Sequence, residues 1–268
     1  MSDALVSTGW VAERLHAVRV IDVPSSNDGY ETGHLPGAAK IDWKRELIPD
    51  EDESSGDVVD PERFAALARR LGLHPDDTIV FYGDEGGRHA TRALWMFEYY
   101  KHRGPLHWMD GGREKWRAEG RPLTDEVPVL TPSDYPVPSG RAHDIRIRRE
   151  EIQSRLGNDS FVVLDVRTGG EYEGSDVRAA RSGHIPGAVH IFWEDALGPD
   201  GALRPRQELE RIYASVPKDA TVAVHCQLGV RAAHTWFVLR HVLGYADVRN
   251  YDGSWKEWGD SPDTPVEG

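Results

Sequence analysis

The chain has 268 residues, of which 39% are hydrophobic and 29% charged. That apolar content suffices for two cores, the charge argues against a membrane protein, and the length favours two domains of about 100 to 150 residues. A formal net charge of -13 argues against nonspecific nucleic-acid binding, which needs Lys and Arg to neutralise phosphates. It also means that any anionic ligand must be met by a local positive pocket.

The amino-terminal run MSDALVSTGWVAERLH carries no basic leader followed by an apolar stretch, and no run of about 18 apolar residues occurs anywhere. A cytoplasmic protein with no membrane partner is expected. In chain order, VRVIDV, TIVFY and LHWMD supply Val- and Ile-rich strand candidates, while PERFAALARRLG and ATRALWMFEYYK carry helical apolar spacing. The acidic stretch from Asp50 to Asp60 reads as a solvated loop. Gly120 to Ala142 holds Pro122, Pro128, Pro132, Pro136 and Pro138 without periodicity, which predicts a semi-rigid linker. Beyond it, FVVLDV, TVAVH and DVRNYD predict strands, and QELERIYASV and AAHTWFVLRHVLG predict helices.

The second set repeats the first, and a long internal repeat decides architecture before any local feature does. Asp22 in VRVIDV recurs as Asp165 in VVLDV, GHLPGA from Gly33 recurs as GHIPGA from Gly183, and MDGGREKW recurs as YDGSWKEW. Between these, TIVFYGDEGGRHATRALW aligns with TVAVHCQLGVRAAHTWFV, which sets Asp84 opposite Cys226. The expectation is an α/β protein of two tandem domains, each a mostly parallel sheet flanked by helices, spanning 1–120 and 143–268 with the linker at 121–142.

Cys226 is the only cysteine, so an internal disulfide or a two-thiol redox pair is excluded. A free cysteine is commonly a buried small hydrophobe. Here, however, it directly follows the strand TVAVH, and ligands of open parallel sheets bind beyond the carboxyl ends of the strands. The loop Cys226, Gln227, Leu228, Gly229, Val230, Arg231 runs into a helix expected to start near Ala232, a setting that gathers backbone N–H groups. Making a thiol of pKa about 8.5 mostly thiolate at neutral pH takes roughly 3 kcal/mol. A helix terminus supplies about 0.3–1 kcal/mol, so loop amides curved by Gly229 and the Arg231 guanidinium must add the rest. Four residues separate Cys226 from Arg231, one fewer than in cysteine-dependent phosphatases. The smaller ring suits a persulfide better than a tetrahedral phosphate. The 12 His residues show no paired metal spacing, so neither metal nor other cofactor is expected. His34 and His184, duplicated in the two GH-[LI]-PG turns, read as structural, and Trp255 and Trp258 as core residues.

GHLPGA and GHIPGA, CQLGVRA and YDGSWKEWG together resemble the tandem-domain rhodanese sulfurtransferases, which transfer sulfur from thiosulfate or 3-mercaptopyruvate. The resemblance implies that Cys226 takes sulfane sulfur from a small anionic donor as a persulfide and passes it to a thiophilic acceptor such as cyanide, or to a protein acceptor. It implies an inactive first domain, consistent with Asp84 at the cysteine position. Gln227 and Leu228 match neither the basic loop of thiosulfate-type members nor the Gly-Ser pair of mercaptopyruvate-type members; thiosulfate is the favoured donor. Glu171 stands where some members carry a substrate-binding Arg. Arg167 and Arg181, at the same sheet edge, join Gln227, Leu228, Gly229, Val230 and Arg231 as expected substrate-binding residues, with Arg178 as a substitute. A non-enzymatic persulfide relay and a cysteine phosphatase are the alternatives from other classes.

Overall fold

The computed structural model describes residues 3–48 and 58–268, so most of the acidic stretch lies outside the described residues. Two compact units emerge. One holds the described residues up to Ala142 together with Leu197–Leu203, and the other holds His143–Ala196 and Arg204–Gly268.

In the first unit, β1 (Leu5–Val6), β2 (Arg19–Asp22), β3 (Ala39–Lys40), β4 (Ile79–Tyr82) and β5 (Leu106–Met109) form one sheet in the order β1-β5-β4-β2-β3. In the second, β6 (Phe161–Asp165), β7 (Val189–His190), β8 (Thr221–His225) and β9 (Val248–Asn250) run in the order β7-β6-β8-β9. Every strand pairing within these sheets is parallel. The near-continuous apolar runs of β4 and β8 follow from this, because a parallel strand covered on both faces has no wet side to alternate toward. No helix among the described residues is long and apolar enough to cross a membrane.

The helical periods fold as expected. Pro61–Arg70 starts at Asp60, whose carboxylate accepts the N–H groups of Glu62 and Arg63 at 2.8 and 3.0 Å, and it buries Phe64, Ala65, Leu67 and Ala68. The helix after β8 begins at Val230 and continues to Phe237, after which the turn widens through Val238–Val242. Trp255 and Trp258 are buried beside Tyr251, Ile147 and Ile152, positions where truncation to alanine costs about 3–5 kcal/mol.

The proline-rich stretch packs onto the first unit along much of its length. Thr124 and His34 exchange backbone hydrogen bonds, Ser133 N–H donates to Arg69 C=O at 3.0 Å, and Tyr135 is buried with its hydroxyl 3.0 Å from His102 Nδ1. Leu203 N–H donates to the Asp110 carboxylate at 2.8 Å, in keeping with the place of Leu197–Leu203 in the first unit. His34 and His184 are structural: their Nδ1 atoms lie 2.9 Å from the carbonyls of Tyr30 and Tyr172, and their rings stack on those tyrosines at 3.8 Å.

Candidate active site

Central strand β8, flanked by β6 and β9, ends at His225, and the chain turns there into Cys226, whose side chain is 1% exposed. What holds the loop is a set of outward bonds to the segment after β9. Cys226 N–H donates to Ser254 Oγ at 3.1 Å, Cys226 C=O accepts from Trp255 N–H at 3.0 Å, and Gln227 C=O accepts from Lys256 N–H at 3.1 Å. Gly229 C=O accepts from Asn250 Nδ2 at 3.2 Å, and Gln227 Nε2 donates to Arg178 C=O at 2.9 Å.

With carbonyls tied outward, the N–H groups from Gln227 to Ala232 donate to no protein acceptor among the described residues. Successive free amides at a left-handed turn and helix start form an anion-binding concavity. Gly229 makes the curve: its φ is +72°, and a β-carbon there would come within 2.7 Å of Asp252 Cα. Asp252 is in turn fixed by Arg146 Nε at 2.7 Å. Leu228, 38% exposed, stands at the tip.

Arg231 is bound to Glu171 through both terminal nitrogens, at 2.7 and 2.8 Å. Glu171 is itself 1% exposed and completes a reciprocal cap with Thr168, accepting its N–H and hydroxyl at 3.1 and 2.9 Å. Burial alone would raise the Glu171 pKa, but the hydrogen bonds and charge of Arg231, with the help of Thr168, lower it to about 2. Burial opposes the Arg231 charge as well; Glu171 and the negative charge that Cys226 can carry hold the guanidinium above its usual range. His225, with Nδ1 3.4 Å from Cys226 C=O, is buried, and burial lowers its pKa to about 4 although Asp165 lies 3.4 Å away. It is a neutral core residue.

Arg167 and Arg181, expected to bind substrate, are engaged elsewhere. Arg167 is buried, donates to both oxygens of Asp165 and to Gly183 C=O, and lies 4.4 Å over the Trp255 ring. Arg181 gathers the carbonyls of Trp258, Gly259, Ser261 and Thr264 and the Thr264 hydroxyl. Each therefore closes the domain, because a buried guanidinium keeps its charge only where acceptors saturate it. Arg178 remains at the mouth, half-exposed, 2.7 Å from Asp176 and 4.0 Å from Glu171. The role of Glu171 was missed in sequence, although Thr168-x-x-Glu171 has the spacing of a capping box.

The matching turn of the first unit also opens a helix from a left-handed glycine, Gly87 at a φ of +74°, but it carries Asp84 where the second carries Cys226. Asp84 Oδ1 accepts from Ser25 N–H at 2.8 Å and Asp84 Oδ2 lies 3.9 Å from Arg113, which also binds both oxygens of Asp22 at 2.9 and 2.8 Å. The cation beside the strand-end aspartate thus comes from Arg113 in one copy and from Arg167 in the other, where Trp255 takes the place of Arg113 in the repeat.

Fold and site together define a protein of two parallel α/β domains, the second with a lone cysteine in the loop that follows its central strand. The chain matches the Rhodanese-like domain family twice, over residues 7–119 and 148–261. It is 41% identical to the sulfur carrier protein TtuD of Thermus thermophilus, over 98% of this chain and 96% of that protein. It is also 41% identical to the thiosulfate sulfurtransferase of Corynebacterium glutamicum, over 99% of this chain and 90% of that protein, and to the putative thiosulfate sulfurtransferase SseA of Mycobacterium tuberculosis, over 98% and 90%. Solved structures share the fold: wild-type EanB has a TM-score of 0.86 at 22% identity, covering 98% of this chain and 69% of that one, and YnjE 0.87 at 22%, covering 98% and 68%. The chain belongs to the rhodanese family, as two tandem domains. It is a sulfurtransferase of that family.

Proposed function

We propose that the protein moves sulfane sulfur from thiosulfate to a thiophilic acceptor such as cyanide through a persulfide on Cys226. The observation that carries this reading is the Cys226 loop, with its amides from Gln227 to Ala232 free of protein acceptors and Arg231 at its end. In the first step the Cys226 thiolate attacks the outer sulfur of thiosulfate; a new S–S bond forms, the old one breaks, and sulfite leaves with the electron pair. In the second step cyanide attacks that sulfur, thiocyanate departs, and the thiolate is restored. No external oxidant or reductant enters.

The amides stabilise the charge that stays on sulfur throughout, which is electrostatic preorganisation rather than proton transfer. No general base is assigned, since His225 is buried and neutral. Gln227, Leu228, Gly229, Val230 and Arg231 form the substrate cradle, and the first domain, with Asp84 at the matching turn, carries no sulfur. The name of TtuD favours a second reading, in which the persulfide passes to a protein acceptor.

The test mixes thiosulfate, cyanide and protein and follows thiocyanate. Turnover with the wild type and none with folded Cys226→Ser is expected; equal rates in both would overturn the proposal. Replacing thiosulfate by 3-mercaptopyruvate ranks the donors, and comparing cyanide with a protein acceptor separates enzyme from relay.

A further inference from the structure

The cation of the Cys226 loop has a carboxylate partner. Arg231, the cation of the loop, is matched by Glu171 at 2.7 and 2.8 Å. Arg178, at the mouth, is matched by Asp176 at 2.7 Å and lies 4.0 Å from the same Glu171. Arg167 is paired with Asp165, and the Arg181 guanidinium, though not neutralised, is held by carbonyls of the carboxyl-terminal segment. With Arg231 matched, the attraction the loop itself offers an anion is that of backbone amides, which favour negative charge without adding a full positive one.

We propose that Glu171 sets the charge of the Cys226 site and thereby its donor selectivity: by neutralising Arg231 it penalises donors in proportion to their negative charge. This rests on Cys226 being the sulfur-carrying residue. Glu171 is a positioning residue, acting through Arg231 without touching the donor. Its isosteric variant Glu171→Gln removes the charge and, by turning one of the two acceptor oxygens into an amide donor, one of the two Arg231 hydrogen bonds, leaving the guanidinium in excess with a single acceptor. A dianion such as thiosulfate then gains about twice the attraction that a monoanion such as 3-mercaptopyruvate gains, since Coulomb energy scales with the product of charges.

Two alkylating agents read the local potential without any sulfur transfer. Iodoacetate and iodoacetamide both consume the thiolate, but only iodoacetate is charged, so the ratio of their rates at Cys226 cancels the thiolate fraction. Glu171→Gln is expected to raise that ratio about three- to tenfold at low salt, less at high salt, where screening acts. Glu171→Asp, which keeps the charge, is expected to stay near the wild type, and Arg231→Gln, which leaves the carboxylate unmatched, to fall below it. In the thiocyanate assay, Glu171→Gln lowers KM for thiosulfate and strengthens inhibition by the product sulfite, with a smaller change in KM for 3-mercaptopyruvate. A ratio unchanged in folded Glu171→Gln overturns the proposal. If Glu171→Gln does not fold, the Arg231→Gln ratio decides, and an unchanged value there overturns it equally. Absence of thiocyanate from the wild type would instead count against the sulfur-transfer reading, leaving the alkylation result to stand alone.

Discussion

Replacing Gly229 with alanine adds a methyl group that would lie 2.7 Å from Asp252 Cα and 2.8 Å from Asp252 C=O, at a φ of +72°. Two costs add. A left-handed conformation costs a residue with a β-carbon about 1–2 kcal/mol, and backbone has to move out of the methyl's way, about 1–3 kcal/mol more for an overpacked site. Gly244 is the control: its φ is +75°, and a β-carbon there meets nothing within 4 Å, so Gly244→Ala carries the first cost alone. We expect guanidinium unfolding of the two variants to differ by about 1–3 kcal/mol, with Gly229→Ala the weaker. Because the encounter with Asp252 pushes the amide ring off Cys226, thiocyanate production should fall about 10- to 100-fold in Gly229→Ala and stay near the wild type in Gly244→Ala. Equal stability of the two variants, or full turnover in Gly229→Ala, would refute the claim that this glycine shapes the cradle.

Arg181→Ala removes the hydrogen bonds that gather Trp258, Gly259, Ser261 and Thr264; proteolysis of the carboxyl-terminal segment should accelerate while KM for thiosulfate changes less than twofold, and a large rise in KM with unchanged stability would return Arg181 to the substrate. Burial lowers the pKa of His225 to about 4 and of His89 and His234 to about 3. Because the folded values lie below the usual 6.5, the unfolded chain takes up protons first: the stability these residues contribute is full above pH 6.5 and is lost as pH falls from 6.5 toward 4, by up to about 1.4 kcal/mol per residue per pH unit. Denaturation midpoints measured across that range should drop steadily; a flat profile would contradict neutral burial. Asp84→Cys puts a thiol at a turn where His89, neutral through burial, stands at the position of Arg231, so exposure to thiosulfate should still load one sulfur per chain, and two would show that the cysteine and its turn alone make a site.

Much of the fold could be read from the chain because its repeat is written in short-range terms: TIVFY and TVAVH are strands by β-branching and burial, and PERFAALARRLG is a helix with its cap and amino-terminal proline in place. The position of Cys226 was legible for the same reason, since a strand end followed by a glycine and a helix is a local pattern. Arg167 and Arg181 were not. A long cationic side chain near a sheet edge can reach into a pocket or back into the domain, and the carbonyls and the aspartate that decide it are set by the tertiary fold. Arg231 and Glu171 are 60 residues apart in sequence, so their pairing follows from β6 lying beside β8. The stretch around Tyr135 reads as a semi-rigid linker because its few apolar residues have no period, yet a buried tyrosine with a partnered hydroxyl and the backbone bonds of Thr124 and Ser133 tie it to the first unit.

Intact-mass analysis after thiosulfate exposure, with peptide mapping, tests the central claim most directly. The account predicts a gain of one sulfur atom at Cys226, removed by cyanide with release of thiocyanate and absent from Cys226→Ser. A wild-type protein that gains no sulfur, or a Cys226→Ser protein that still does, would contradict it.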